Sequence, residues 1–249
     1  MSGSELNALR GDPEALYGAL AALANGGVSE PALEAARELA RREKSLRAGV
    51  LYGVLLLRAG QLADAEGTLR DAQRQHGEHP AIVINLAKLA QKRGDNAAAL
   101  KLGRRALELQ PNDEIALGWW SSLMRLTGKD AELTSALAEW GSKPGAWRPL
   151  FQLGEYHLEK QQASQAEQCF VRALDASGNA RPCVELVARD LRATDQHELM
   201  VRVLAPRWQL ETHGPYVALA IARAHLSLGD MAAADALLAK ARPVVTPEA

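Results

Sequence analysis

Aromatic residues make up only 4% of this 249-residue chain, and only two residues are cysteine. β-Structure packs through β-branched and aromatic side chains, so the scarcity of both argues against a β-rich core. Cys169 and Cys183 fall in separate helical segments and form neither a CxxC nor a zinc spacing. They read as two thiols, buried or semi-exposed, in a reducing compartment. Excess charge is also missing: 29 basic against 30 acidic residues leave a formal net charge of −1. No global polycation is present to hold nucleic-acid phosphates, which excludes nucleic acid as the expected partner. No segment approaches the roughly 18 consecutive apolar residues of a membrane span. The N-terminus, Met1-Ser2-Gly3-Ser4-Glu5-Leu6-Asn7, has no basic stretch followed by an apolar run, so no secretory signal is expected. These absences imply a soluble, cytoplasmic protein.

What is present is an ordinary globular mixture, 47% hydrophobic and 24% charged. Its apolar share leans on Ala and Leu, which lose little on entering a helix. The Ala- and Arg-rich bias also hints at a GC-rich bacterial genome. The decisive pattern is internal repetition. Gly60, Gly94 and Gly128 lie 34 residues apart, each between two apolar-periodic helices. Each fits the residue after a helix, where the chain turns at positive φ. Five residues beyond the first two come Ala65 and Ala99. Seven further on come Ala72 and Ala106, and Pro111 closes that unit.

Helix, glycine turn, helix, with small residues at fixed places, resembles the tetratricopeptide repeat. The stretch Leu150-x2-Leu153-Gly154-x2-His157, followed by Ala166-x3-Phe170-x2-Ala173, matches that family's pattern, as does Ala99 through Ala106 to Pro111. Carried along the chain, the register gives units at 13–45, 46–79, 80–113, 114–147, 148–180, 181–214 and 215–249, the fifth one residue short. In the first, Asp12-Pro13 reads as N-cap and first helical residue, and Asn25-Gly26-Gly27 as the turn between its helices. The last shows Gly229, Ala234, Leu238 and Ala241 in phase. The sixth departs furthest, with Asp195 in the glycine place and Met200 and Arg207 in the alanine places. The resemblance implies one all-α domain over 1–249, a right-handed superhelical solenoid of about seven helix-turn-helix repeats. Its first (A) helices would line the concave side. Hairpins that cannot bury an apolar face alone do so by stacking.

No catalytic constellation emerges. The chain has no GxSxG, no P-loop and no GxGxxG after a strand. His76 and His79 form an HxxH at a unit junction but lack further ligands nearby, so a surface turn is expected there rather than a metal. His157 and His225 hold the late bulky place of an A helix and read as packing residues. Of five tryptophans, Trp120 takes a core Leu place and Trp140 a small-residue place, filling space where the fourth unit departs from the pattern. Trp119 falls at a position that faces the groove in the family. No cofactor, metal or enzymatic activity is expected.

The family's groove positions, carried over residue by residue, give Arg47, Arg58, Lys88, Lys92, Arg125, Arg148, Arg189, Arg192 and Arg223 as basic lining. Only Glu155, Glu159 and Glu185 are acidic there. The expected protein-binding set is Asn85, Lys88, Gln91, Lys92, Trp119, Ser122, Arg125, Arg148, Phe151 and Glu155, forming a basic trough for an acidic peptide. The carboxylate clamp of chaperone-binding relatives has no support, since Val50 and Val54 occupy its places and Asn85 is the one match. The expectation is a non-catalytic protein- or peptide-binding scaffold or adaptor. The alternative is a substrate-recruiting module of a larger enzyme, glycosyltransferase-like or sulfotransferase-like, with a catalytic domain beyond residue 249. The apolar C-terminal edge, with Leu237, Leu238, Val244 and Val245, would be covered by a second copy of the chain, by downstream sequence or by the bound partner, and a homodimer through that edge would close without propagating.

Overall fold

The computed structural model describes residues 3–24 and 26–241, which form helices and connecting turns with no strand among them. A short α1 (Gly3–Ala8) precedes seven pairs of consecutive helices. These are α2 (Pro13–Leu23) with α3 (Glu30–Glu43), α4 (Leu46–Arg58) with α5 (Leu62–His76), and α6 (Pro80–Lys92) with α7 (Asn96–Leu109). There follow α8 (Glu114–Leu126) with α9 (Asp130–Trp140), α10 (Trp147–Glu159) with α11 (Ala163–Ala176), α12 (Arg181–Ala193) with α13 (His197–Leu204), and α14 (Leu210–Ser227) with α15 (Met231–Ala241). The chain divides into two compact units. The first runs to Gln110 and takes in Gly118–Thr127; the second comprises Pro111–Leu117 and the residues from Gly128 onward.

The 34-residue beat is written in the backbone. The turns inside successive hairpins hold Gly60, Gly94, Gly128, Gln161, Asp195 and Gly229, with φ between 54° and 84°. One step, Gly128 to Gln161, is 33 residues. Left-handed backbone suits glycine because it has no Cβ to clash. Gln161 and Asp195 adopt it in turns whose next residues, Gln162 and Gln196, donate back to the His157 and Leu191 carbonyls at 2.8 and 2.9 Å.

Helix starts follow local chemistry. The Asp12 carboxylate accepts from the backbone N–H groups of Glu14 and Ala15, each at 3.1 Å, and Pro13 opens α2. Asp95 caps α7 through Ala98 N–H at 2.9 Å. The alanine places are buried: Ala65, Ala99, Ala106, Ala166, Ala173 and Ala234 are all inaccessible to solvent. Ala99 packs with Ala90 of α6 and Leu123 of α8. Gly154 serves close approach, since a Cβ there would lie 2.6 Å from the Phe170 ring.

In the second unit, α9 and α13 fill the alanine places differently. Leu133 and Trp140 take them in α9, both buried. Met200 takes the first in α13 and is buried among Leu199, Val203 and Val187. Arg207 takes the second. It donates to the Val203 carbonyl (3.1 Å) and to Asp175 (3.3 Å). α13 is only eight residues long, because Pro206 follows its end. Two side chains then hold the link to α14: Trp208 donates its indole N–H to the Gly214 carbonyl (3.0 Å), and His213 Nδ1 accepts from Gln209 N–H (3.0 Å). That fixes the tautomer of His213, whose Nε2–H is donated to the Asn179 carbonyl at 2.8 Å. α14 itself is broken at Gly214, and its continuous part begins at Pro215. At the last hairpin Met231 is exposed and Leu237 and Leu238 are half-buried, while Val244 and Val245, like Asn25, lie outside the described residues.

Candidate protein-binding site

In the first unit, the site residues expected from sequence sit on α6 and α8. Lys88 and Gln91 are half-buried and Lys92 is exposed. Trp119 is half-buried and donates its indole N–H to the Gln91 side-chain carbonyl at 2.8 Å, so these two side chains are brought together. The ring lies over Gly103, where a Cβ would come within 2.8 Å of it. Ser122 and Arg125 are exposed, and Ser122 donates to the Gly118 carbonyl (2.8 Å). Beside Arg125, Leu126 is 81% exposed.

Asn85 is a correction. It is buried, and its amide donates to the Ala81 carbonyl of its own helix at 2.7 Å, so it supports the face from beneath. Phe151 of the second unit is corrected likewise. It is buried in the core with its ring 5.8 Å from that of Phe170. For Phe151 it is Phe170 of α11 that covers the position the repeat pattern leaves open.

In the second unit, Arg148 is held in place rather than presented. It pairs with Glu114 at 2.8 Å, its guanidinium lies 4.6 Å from the Trp147 ring centroid, and its backbone N–H is accepted by Asn112 at 3.0 Å. Glu155 is half-buried on the same helix. The more open face lies on α12 and α14. Arg189, Arg192 and Arg223 are exposed and take part in no ion pair among the described residues. Interleaved with them are Tyr216, Leu219 and Leu226, 42%, 53% and 49% exposed. The spacing 216, 219, 223, 226 places four of these side chains along one helix face. The Arg192 guanidinium stands 5.7 Å from the Tyr216 ring centroid. A cleft of about 590 Å³ opens here, lined by Arg148, Glu185, Leu186, Arg189 and Tyr216 among others. Sequence reasoning named the arginines but missed Tyr216, Leu219 and Leu226. The signal was available, since they occupy the same helix-A places as the residues it chose in other units. One carboxylate oxygen of Asp190, between these arginines in sequence, is buried without a hydrogen-bond partner, and burial pushes its pKa up.

The basic lining is thus less uniform than its count suggests. Arg47 is tied to Glu14 and stacks on Tyr17, and Arg148 is tied to Glu114. Arg58 and Lys92, like the three arginines of α12 and α14, have no such partner among the described residues.

The other candidates have local roles. His79 caps α6, its Nδ1 accepting from Ala81 N–H at 3.2 Å. His157 meets Gln162 at 2.7 Å and His225 meets Asp230 at 3.4 Å, each joining a helix to the turn after it. Both cysteines are buried and free, and desolvation pushes the Cys183 thiol up to about 11. Among the described residues no group of three or more His, Cys, Asp or Glu could hold a metal ion, and no helix is long and apolar enough to cross a membrane.

No family model matches the chain, and no curated protein matches it in sequence. Among solved structures, it is similar to the C-terminal part of a TPR repeat-containing protein from Cytophaga hutchinsonii (15% identity, TM-score 0.44, covering 96% of this chain and 93% of that one). It is similar also to pilF of Pseudomonas aeruginosa (18%, 0.42, covering 79% and 90%) and to YrrB, a TPR protein with an unusual peptide-binding site (18%, 0.39, covering 74% and 97%). These likenesses are distant and concern the fold alone. By its own helices, turns and buried alanines, the chain has a tetratricopeptide-type fold, an all-α array of helix-turn-helix repeats.

Proposed function

We propose that the A-helix faces bind a segment of a partner protein, acidic and carrying apolar side chains, and that the chain works as a non-catalytic scaffold or adaptor. One observation carries the reading: on α12 and α14, three arginines without ion-pair partners alternate with exposed Tyr216, Leu219 and Leu226. Exposed apolar side chains gathered on one face mark interaction surfaces, and aromatic and arginine side chains dominate binding energy where they become buried. On α6 and α8, the lysines at 88 and 92 with Trp119, Ser122 and Arg125 form the corresponding face of the first unit.

The test is affinity capture from the native lysate, comparing the unaltered chain with Arg189→Glu/Arg223→Glu. A partner retained by the first and lost by the second supports the reading; an identical set of captured proteins refutes it. With the partner purified, association should slow as salt rises, since exposed charges are screened within about 10 Å at 0.1 M. Lys88→Glu/Lys92→Glu should act chiefly on the association rate.

A further inference from the structure

The first unit carries a second open feature, away from the A-helix faces. Between α3 and α5, the second helices of consecutive hairpins, lies a cleft of about 840 Å³ that continues into a further 480 Å³. The larger part is lined by the later residues of both helices, and the extension by the earlier residues of both. The two helices therefore run side by side in the same direction. α4 supplies the floor through Gly49 and Tyr52.

The next hairpin shows why this space is open. Thirty-four residues on, Val83 stands for Gly49, Leu86 for Tyr52 and Leu102 for Thr68. Leu102 packs against Leu69, Ala72, Ile82 and Leu86. In the α3–α5 cleft, Gly49 brings no side chain and Thr68 a short polar one. Tyr52 is half-buried there, and its hydroxyl has no hydrogen-bond partner among the described residues.

The lining is ionic and largely uncompensated. Glu30, Glu34 and Asp64 line the N-terminal part of the cleft, Arg41 and Lys44 the C-terminal part, and Arg37 both, while Asp71, which also lines both, is paired with Arg74. Glu30, Glu34, Asp64, Arg37, Arg41 and Lys44 have no ion pair among the described residues, in a chain where exposed ion pairs are otherwise frequent. This polarity has a simple origin. Helices favour acid in the first turn and base in the last, where each complements the macrodipole. α3 and α5 both follow that rule, with Glu30 and Asp64 at their starts and Arg41, Arg74 and His76 near their ends. Two such helices in parallel leave the unpaired charges of the cleft acidic at one end and basic at the other.

We propose that this cleft docks an amphipathic helix of a partner protein, running antiparallel to α3 and α5. A helix with the same ordinary charge order, laid antiparallel, sets its acidic first turns against Arg37, Arg41 and Lys44. Its basic last turns then meet Glu30, Glu34 and Asp64. Side-chain charges and macrodipoles favour the same direction, and small apolar side chains of the incoming face fill the space over Gly49 beside Tyr52.

The experiment uses the full chain and two synthetic 15-residue helices, each held helical by side-chain lactam bridges and sharing one Leu-Ala face. One carries Glu in its first two turns and Lys in its last two; the other is charge-reversed. Fluorescence anisotropy at low salt should show the first binding about tenfold more tightly, the scale that several exposed charge pairs produce together. Arg37→Glu/Arg41→Glu should abolish or invert that preference. Gly49→Val/Thr68→Leu installs the next hairpin's residues and should remove binding of both peptides while leaving the circular dichroism spectrum unchanged. Equal affinity for the two peptides, binding of neither, or undiminished binding to the filled variant overturns the proposal. If the filled variant fails to fold, the charge-reversal pair decides alone.

Discussion

In the third hairpin the turn after α6 is Gly94, at φ 84°, and the small buried places on α7 are Ala99 and Ala106. In the sixth, the matching residues are Asp195, at φ 54°, Met200 and Arg207. The backbone course through the two turns is alike, yet the packing solutions are opposite. Around Ala99, helices approach closely and leave room for a methyl group. Around Met200, α13 is short and a long, flexible side chain occupies the space, as methionine does readily. Arg207 does not fill a core at all. It turns its charge outward to Asp175 while its stem covers α13, and Trp208 and His213 secure the chain that follows. The lesson is that the repeat is maintained as a backbone spacing, and each hairpin fills that spacing with whatever volume its helix lengths leave.

Swapping the two solutions should break each hairpin in its own way. Met200→Ala, which imposes the third hairpin's residue on the sixth, should leave a cavity and cost about 2–5 kcal/mol. The reverse exchange, Ala99→Leu, should overpack the contact with Ala90 and Leu123 and cost about 1–3 kcal/mol. Urea denaturation measures both. An unchanged midpoint for Ala99→Leu would falsify the tight approach assigned to that place, and a neutral Met200→Ala would mean that α13 settles onto its neighbours freely. The turn residues should respond most weakly and in opposite senses. Asp195→Gly relieves a left-handed side chain and is expected to stabilise by about 0.5–1 kcal/mol, after the added freedom of the unfolded glycine is set against it. Gly94→Asp should destabilise by about 1 kcal/mol. Thermal melts of the two variants shifting in the same direction would contradict a shared turn conformation.

Helical content, the hairpin period, the turn positions and the buried alanines were legible in the residues themselves. All depend on neighbours a few places away or on a repeat of fixed length: apolar spacing selects helix, capping residues start it, and positive φ favours glycine. That Gln161 would carry a turn was not legible. The binding face was only half legible. The periodicity assigns a residue to one side of its own helix, but whether that side is open depends on how the neighbouring helix lies across it. Phe151 is covered, against Phe170 of α11, and Tyr216, Leu219 and Leu226 are not. Charge behaved the same way. Arg47 and Arg148 counted as basic lining until folding set Glu14 and Glu114, 33 and 34 residues earlier, beside them. The cleft between α3 and α5 likewise exists only once two helices lie parallel over Gly49. The sequence by itself determined which segments are helical and how often they recur, because those are local free energies. The tertiary structure alone decided which faces stay open and which charges stay unpaired, because burial and ion pairing are set by residues distant in the chain.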